Sequence, residues 1–543
     1  MTASVADAFA ATASVAGAFA ATARRVPDRA FLNVLDETAT HYAITAGPIL
    51  YRDVLAAART LAEAYAAAGI GVGDRVAVLL ENRPGLFEHF LALNQVGASL
   101  IPINPDWRQA ELSHVAQHGA PRLAVATPHR CADLQRATAA VGGCEVVAMG
   151  DPFPAIGPPQ AATAPADPNR EAALLYTSGT TGGPKGCILS NTYFLEAGRW
   201  YREAGGLCAL EDGDTMLTPL PLFHMNALAY SVMAMIAVGG CLTVLDRFHP
   251  STWWHSVRSS GATVVHYLGV MPAMLMKAAQ TPGDRDHAVR FGFGANVEPP
   301  LHAPFEARFG FPLIEAWAMT ETGAGACIVA NRTPRQVGRK AFGRPGPEVE
   351  VMLAGDDGAD AGDGPGELLV RRSGPDPRYG FFSGYHKDDA ATAAAWRDGW
   401  FHTGDVVRWD KGDLIFVDRK KNIIRRSGEN IAAVEVEAML LTHEGVRAAA
   451  VSPVPDPIRN EEVFALVVPA ADDHAGQDLA EDLVRYALSQ LAYYKAPGYI
   501  AFQDALPVTT TQKVQRGVLK HLAAETVQSG KAFDLRAHKT RRA

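Results

Sequence analysis

The chain has 543 residues, 48% hydrophobic and 20% charged, with a formal net charge of −8. That length holds roughly three to four units of about 150 residues and buries a large core. The charged and apolar fractions are those of a soluble globular protein, and the acidic balance argues against general nucleic-acid binding. No apolar run reaches the roughly 18–20 residues that a membrane span needs. Cys131, Cys144, Cys187, Cys208, Cys241 and Cys327 are scattered with no C-x-x-C pair, which fits reduced thiols and a cytoplasmic location and argues against a disulfide scaffold or zinc site.

The first elements read as follows. Thr2–Ala11 (TASVADAFAA) and Thr12–Ala21 (TASVAGAFAA) form a near-perfect tandem repeat. With no basic leader and no long apolar stretch, it reads as a duplicated alanine-rich amphipathic helix offering Val5, Phe9, Val15 and Phe19 for packing. Val54–Ala68 reads as a helix ended by Gly69, and Val76–Leu80 as a strand. Leu86–Val96 is helical and Ser99–Ile103 is again a strand, and this repeated alternation predicts a doubly wound, mainly parallel sheet. Residues 148–168, rich in Pro and Ala, read as a surface connection.

The stretch from Ala172 to Leu189 is the most informative. A strand-like run (Ala172–Tyr176) stops at a cluster of hydroxyls and glycines with one lysine, and a second apolar run (Cys187–Leu189) follows at once. Such a loop suits phosphate chemistry. Glycines admit positive φ and let backbone N–H groups converge on an anion. Ser178, Thr180 and Thr181 add donors, and Lys185 adds a compact positive charge. It is not the common G-x-x-x-x-G-K-[ST] loop: counting from Gly179, Pro184 holds the second glycine position and Gly186 the final hydroxyl position.

Asn191–Glu203 is helical in pattern. A strand at Met216–Thr218 ends at Pro219 and Pro221, before Leu222-Phe223-His224-Met225-Asn226. Thr263–Pro272 reads as a strand ending in a turn, and Phe291-Gly292-Phe293-Gly294-Ala295 as a short glycine-rich strand. Lys539–Ala543 reads as a frayed basic end.

From Tyr176 to Gly186 the chain carries Y-T-S-G-T-T-G-G-P-K-G, which resembles the signature of the adenylate-forming enzymes: acyl- and aryl-CoA synthetases, luciferases and peptide-synthetase adenylation domains. The resemblance runs from about Phe31 to Lys520. It continues through the P-L-F-H segment at His224, Glu315–Thr322 against Y-G-x-T-E, Thr403-Gly404-Asp405, Asp418–Ile424 against D-R-x-K-x-x-I, and Leu506–Arg516 against P-x-T-x-T-G-K-x-x-R. Within the family the chain is most similar to carnitine/crotonobetaine-type and medium-chain acyl-CoA ligases. Trp317-Ala318 stands where Tyr-Gly is usual, and Gln512 replaces the usual glycine.

The resemblance implies an α/β fold: a large N-terminal domain of doubly wound sheets with a distorted barrel, plus a small mobile α+β C-terminal domain. The divisions it implies are a duplicated helix at 1–30, the nucleotide- and acid-binding domain at 31–417, a hinge at 418–421 around Lys421, and the mobile domain at 422–543. It implies an AMP-forming acid–thiol ligase that uses ATP, Mg²⁺ and CoA. ATP would be held by Thr177, Ser178, Gly179, Thr180, Thr181, Gly182, Lys185, Gly294, Ala295, Trp317, Thr320, Asp405 and Arg419, with Asp405 on the ribose hydroxyls. Lys185, Thr320, Glu321 and Lys513 would be catalytic, and Glu321 would be the carboxylate for the metal.

His224, Met225, Asn226, Tyr267, Leu268, Gly269, Gly294, Trp317 and Met319 would wall the acid pocket, a mostly apolar lining that points to a bulky or aliphatic acid. Gly428, Glu429 and Asn430 would lie on the CoA side. Two alternatives remain at this level: a ligase with weakened adenylation that converts a preformed acyl-adenylate to the thioester, and transfer to a carrier protein in trans. A homodimer is the oligomer expected, with no nucleic-acid partner and no membrane span.

Overall fold

The computed structural model describes residues 9–139, 141–177, 184–355, 358–362, 364–426, 429–457, 459–471, 475–491, 493–509 and 513–539; the side chains of 421, 425, 429, 430 and 460 are outside this description. Among these residues the chain builds four sheets. The first runs Gly384–Tyr385, Lys185–Ser190, Glu171–Thr177, Ser99–Pro102, Arg75–Leu79, Leu123–Ala126, Glu145–Ala148. Its last five strands are parallel, and the first two add on antiparallel.

The second sheet runs Ile328–Val329, Leu313–Trp317, Phe291–Ala295, Val264–Leu268, Thr215–Thr218, Cys241–Val244, Ala30–Val34, Gly47–Leu50, parallel except at its two edges. The third, wholly antiparallel, holds Ala341–Gly343, Asp413–Arg419, Trp400–Asp410, Gly366–Arg372 and Val349–Ala354, with Trp396–Arg397 beside it. These three make the large N-terminal domain. A smaller mixed sheet (Glu429–Ala432, Ile423–Arg426, Asn460–Pro469, Tyr499–Phe502, Phe533–Asp534, with Val446–Asp456 beside it) carries the C-terminal domain.

The local rules are visible. The inner strands Ser99–Pro102 and Leu123–Ala126 are buried at every position, as parallel strands covered on both faces must be. The helix Tyr51–Ala68 buries Val54, Ala58, Ala62 and Tyr65 at helical spacing and ends at Gly69, whose φ of 93° suits a residue without Cβ. The expected Asn191–Glu203 helix has those limits, its N-cap Ser190 accepting from the Tyr193 N–H at 3.3 Å.

Two expectations are corrected. The duplicated segment is not one helix where it is described. The chain breaks after Phe9-Ala10, and Ser14 caps a separate helix, Val15–Arg25, by accepting from Gly17 N–H. Phe9 and Phe19 nevertheless enter the main core, Phe19 against Phe31 and Tyr51; Val5 lies outside the described residues. The turn expected at Gly269–Pro272 is the start of a helix, Val270–Met276, because proline is tolerated in a first turn whose N–H groups have no partner.

Apolar packing divides near the expected hinge. The main core contains buried residues up to Leu414, with Phe416 packed against it, whereas the C-terminal clusters begin at Ile424. Between them Asp418 is buried and accepts from the N–H of Arg419, from Asn422 and from the Val434 N–H. A cavity of about 760 Å³ lies along this seam, lined among others by Phe416, Val417, Val434 and Met439. None of the expected site residues lines it. No helix among the described residues is long and apolar enough to cross a membrane.

The frayed basic end is also corrected at its first residue. Lys539 is buried, its ammonium 2.5 Å from Glu462, which Arg426 grips through Nε at 2.9 Å to each oxygen. Burial holds the Lys539 pKa down at about 8. Lys539→Ala removes one cation from a dry triad and leaves a void, so it should cost the C-terminal domain about 3 kcal/mol, read as a drop in its denaturant midpoint; an unchanged midpoint would mean that the tail is not anchored there.

Candidate active site

The site is assembled at the meeting of the first three sheets. Thr177 ends one strand and Lys185 opens its antiparallel neighbour, the two facing each other in register. Ser178–Gly183, expected to grip phosphate, lie outside the described residues. The stems of the loop are braced from below: the His114 ring N–H donates to the Pro184 carbonyl at 2.9 Å, His118 shares a 2.9 Å hydrogen bond with the Tyr176 hydroxyl, and the His386 N–H donates to the Gly186 carbonyl at 2.8 Å. Burial and the neighbouring histidines lower His118 to about 4, so it is neutral near pH 7.

Lys185 is half-buried, its ammonium 3.7 Å from Asp388 and 4.8 Å from the centre of the Tyr385 ring. The Tyr385 hydroxyl in turn donates to Glu321 at 2.8 Å. Glu321 is buried, and Thr320 beside it is half-buried. No group of three or more His, Cys, Asp or Glu among the described residues makes a metal cage. A lone buried carboxylate is nonetheless what a magnesium ion carried by phosphates needs, since that ion keeps most of its oxygens from phosphate and water.

Trp317 ends the strand Leu313–Trp317, and its indole N–H donates to Asp405 at 2.9 Å. Asp405 is 2% exposed and also pairs with Arg419 at 2.6 Å. Burial raises the Asp405 carboxyl above the usual carboxylate range, while Arg419, Trp317 and Lys513 pull it back. Lys513 reaches this point from the C-terminal domain. It lies at the end of a turn closed by the Val508–Val514 bridge, its carbonyl accepting from the Thr509 N–H at 2.8 Å.

Its charge acts on Asp405, Arg419 and His224 together. Lys513 and His224 are both exposed, with protein packed close enough around them to weaken their hydration. Crowding lowers the Lys513 pKa, and crowding with Lys513 lowers His224 to about 4. Lys185, Tyr385 and Glu321 thus form one connected set, and Trp317, Asp405, Arg419 and Lys513 a second, with Trp317 and Glu321 on the same stretch of chain.

The acid-pocket expectations divide. His224 is exposed; Met225, Asn226 and Met319 are half-buried and Trp317 is buried, with Met225, Trp317 and Met319 packed in the main apolar core. After Met225 the helix opens into a wider turn, Asn226–Ser231, a feature frequent at binding sites and not anticipated from the sequence. Tyr267 is buried, and its hydroxyl donates to the Ile314 carbonyl at 3.3 Å. A Cβ on Gly294 would collide with the carbonyl and ring of Tyr267, so packing within the chain by itself demands glycine here. Gly269 is required in the same way by the Asn296 carbonyl.

Lys421 lies in the turn Lys420–Asn422 and Glu429 and Asn430 on a strand, without described side chains; Gly428 and Gln512 lie outside the described residues. Tyr385 and Asp388 were missed because nothing local marks them: Tyr385 meets Glu321 across 64 residues of chain.

Two family models match the chain: one described as AMP-binding enzyme over residues 19–386, and one described as AMP-binding enzyme C-terminal domain over residues 435–513. Among curated proteins the chain is similar to the sulfoacetate–CoA ligase of Cupriavidus necator, 33% identical over 477 residues, covering 84% of this chain and 89% of that protein. It is also similar to the crotonobetaine/carnitine–CoA ligase of Salmonella arizonae, 28% identical over 510 residues, covering 89% and 96%. Among solved structures, ATP-bound MatB from Rhodopseudomonas palustris superposes with a TM-score of 0.78 at 26% identity, covering 93% of this chain and 98% of that one. The o-succinylbenzoate CoA synthetase (MenE) of Bacillus subtilis in complex with the acyl-adenylate intermediate OSB-AMP gives 0.79 at 23% identity, covering 93% and 97%, a likeness of fold alone.

The histidines set an acid limit on this architecture. His266, fully buried between the Tyr201 hydroxyl (3.0 Å) and the Ser231 hydroxyl (2.8 Å), is lowered by burial to about 3, and His89 to about 4. An unfolded histidine titrates near 6.5. Between about pH 6.5 and pH 4 the unfolded chain therefore binds more protons, and stability must fall as pH falls. Denaturant midpoints taken across this window should drop toward pH 4, and His266→Gln should make that slope shallower; an equally steep slope in the variant would remove His266 from the account.

Proposed function

The chain belongs to the AMP-binding enzyme family and is an acyl-CoA ligase of the AMP-forming acid–thiol type, using ATP, Mg²⁺ and CoA; from that premise we propose how its own residues divide the work and which acids it takes. The observation that carries the proposal is the buried Asp405 carboxylate held by Trp317 and Arg419, with Lys513 of the C-terminal domain close enough to act on its charge. In this reading Asp405, held by Trp317 and Arg419, accepts from the ribose hydroxyls of ATP. Lys185 faces the departing phosphates, and Lys513 lies where the acid carboxylate meets the α-phosphate.

As the carboxylate attacks, negative charge grows on the phosphoryl oxygens and the pyrophosphate leaving group. Fixed cations offset that charge, with no reorganisation at the moment of reaction. Magnesium bound through Glu321 would add charge neutralisation on the phosphates. Crowding weakens the hydration of Lys513, which strengthens its attraction for an incoming anion. Thioester formation then needs Lys513 withdrawn and the Glu429–Asn430 side of the C-terminal domain presented to the thiol, a rotation about residues 418–421.

The acid proposed has an uncharged aliphatic or otherwise apolar body. His224 is neutral near pH 7, the other candidate walls carry no formal charge, and Leu268 and Val270 expose apolar surface next to Gly269. A sulfonate or a quaternary ammonium tail would find no counter-charge among these walls. Mass spectrometry of thioester products across a panel of acids should therefore favour neutral-tailed acids over sulfoacetate and crotonobetaine; preference for either charged acid would overturn this assignment.

With the preferred acid, Lys513→Ala should lower ATP–pyrophosphate exchange by about 100-fold or more. The same variant should still form thioester from supplied acyl-adenylate and CoA at nearly the wild-type rate. Equal loss of both half-reactions would remove Lys513 from the adenylation step.

A further inference from the structure

Asp388 is used by none of the steps above. It is the N-cap of the helix Asp389–Ala395: one carboxylate oxygen, Oδ1, accepts from the Ala391 N–H at 2.9 Å, and the other, Oδ2, faces the Lys185 ammonium at 3.7 Å. The same short segment supplies Tyr385. Its ring lies under Lys185, its hydroxyl holds Glu321, and its N–H is fixed by Thr392 of that helix at 2.9 Å. The cation of the phosphate loop and the carboxylate of the metal subsite are thus mounted on one rigid corner, and that corner contains its own anion.

We propose that Asp388 is a positioning residue that holds Lys185 when no phosphate is present and competes with pyrophosphate for it, so that the product leaves more readily. The inference rests on the ligase reading above. The Lys185 and Asp388 side chains are 34% and 40% exposed. A pair that open to water is weak, worth at most about a kilocalorie per mole, and is therefore exchangeable. A polyanion carrying several charges displaces Asp388 from Lys185 with little resistance. When pyrophosphate departs, the carboxylate is already in place to take the lysine back, so the leaving state is not a bare cation. Adenylation is reversible while pyrophosphate stays bound, and an internal competitor shortens that stay. No bond forms or breaks; one ion pair is exchanged for another.

The test uses the full-length enzyme and magnesium pyrophosphate as the probe, titrated by calorimetry, with MgATP as a second titrant. Asp388→Asn keeps the helix cap, since asparagine caps as well as aspartate, and removes only the charge. It should bind magnesium pyrophosphate roughly threefold to fivefold tighter than wild type at low salt, the gain shrinking as salt is raised. Asp388→Ser, another good cap, should behave alike.

In a Lys185→Ala background the gain should vanish, because the competition needs the lysine; a role confined to capping the helix would not give a gain that depends on Lys185. If wild type binds both titrants but Asp388→Asn binds pyrophosphate no tighter, or if the gain survives without Lys185, this inference falls and the ligase reading stands. If wild type binds neither titrant, the ligase reading falls with it.

Discussion

A single buried carboxylate is where the parts of this molecule are tied together. Asp405 lies on the antiparallel third sheet, receives the indole N–H of Trp317 from the end of the second sheet, and pairs with Arg419 from the strand that leads into the hinge. Lys513 of the C-terminal domain adds its charge to the same point. A charge so dry is tolerated only when partners surround it, and each partner here comes from a different stretch of chain. That dependence ties the second and third sheets together at one point. It also explains a tryptophan at 317. Its ring can pack near Phe342 while its N–H reaches the carboxylate, which a phenylalanine could not do.

The strands that flank the Ser178–Gly183 stretch are supported differently, by polar contacts behind them. Arg75 and Glu171 form a doubly bonded pair at 2.7 Å under the strand that leads to the loop, with the Ser99 hydroxyl donating to the same carboxylate. His114, His118 and His386 fasten Pro184, Tyr176 and Gly186. The His118 imidazole, neutral near pH 7, bonds the Tyr176 hydroxyl without adding positive charge to that support.

Much of this was legible in the sequence, for physical reasons that differ from element to element. The helix at Asn191–Glu203 announces its cap and its period, and the strands on either side of the glycine- and hydroxyl-rich stretch announce themselves as apolar runs. What depended on long-range meetings was not legible. Trp317 and Asp405 are 88 residues apart, and nothing local announces that the indole N–H meets that carboxylate. Lys539 lies in a basic tail that composition alone makes look solvated, yet Glu462 draws it inside from 77 residues away. Gly294 is demanded by Tyr267 of the neighbouring strand, which claims the space a Cβ would fill. In each case the missing information was a partner and not a propensity.

The seam between the domains closes the argument. The main apolar core fades at Phe416 and the next begins at Ile424, so the hinge segment carries little hydrophobic packing of its own. What holds it is polar and local: Asp418 collects the Arg419, Asn422 and Val434 donors, and Lys420 reaches Glu367 at 2.7 Å while Glu367 also receives the Gly404 N–H just before Asp405. Asp418 and Glu367 are themselves buried, so their bonds are made where water does not compete for them. Because Glu367 touches both Lys420 and the turn that carries Asp405, the segment between the two domains and the buried carboxylate share one polar support.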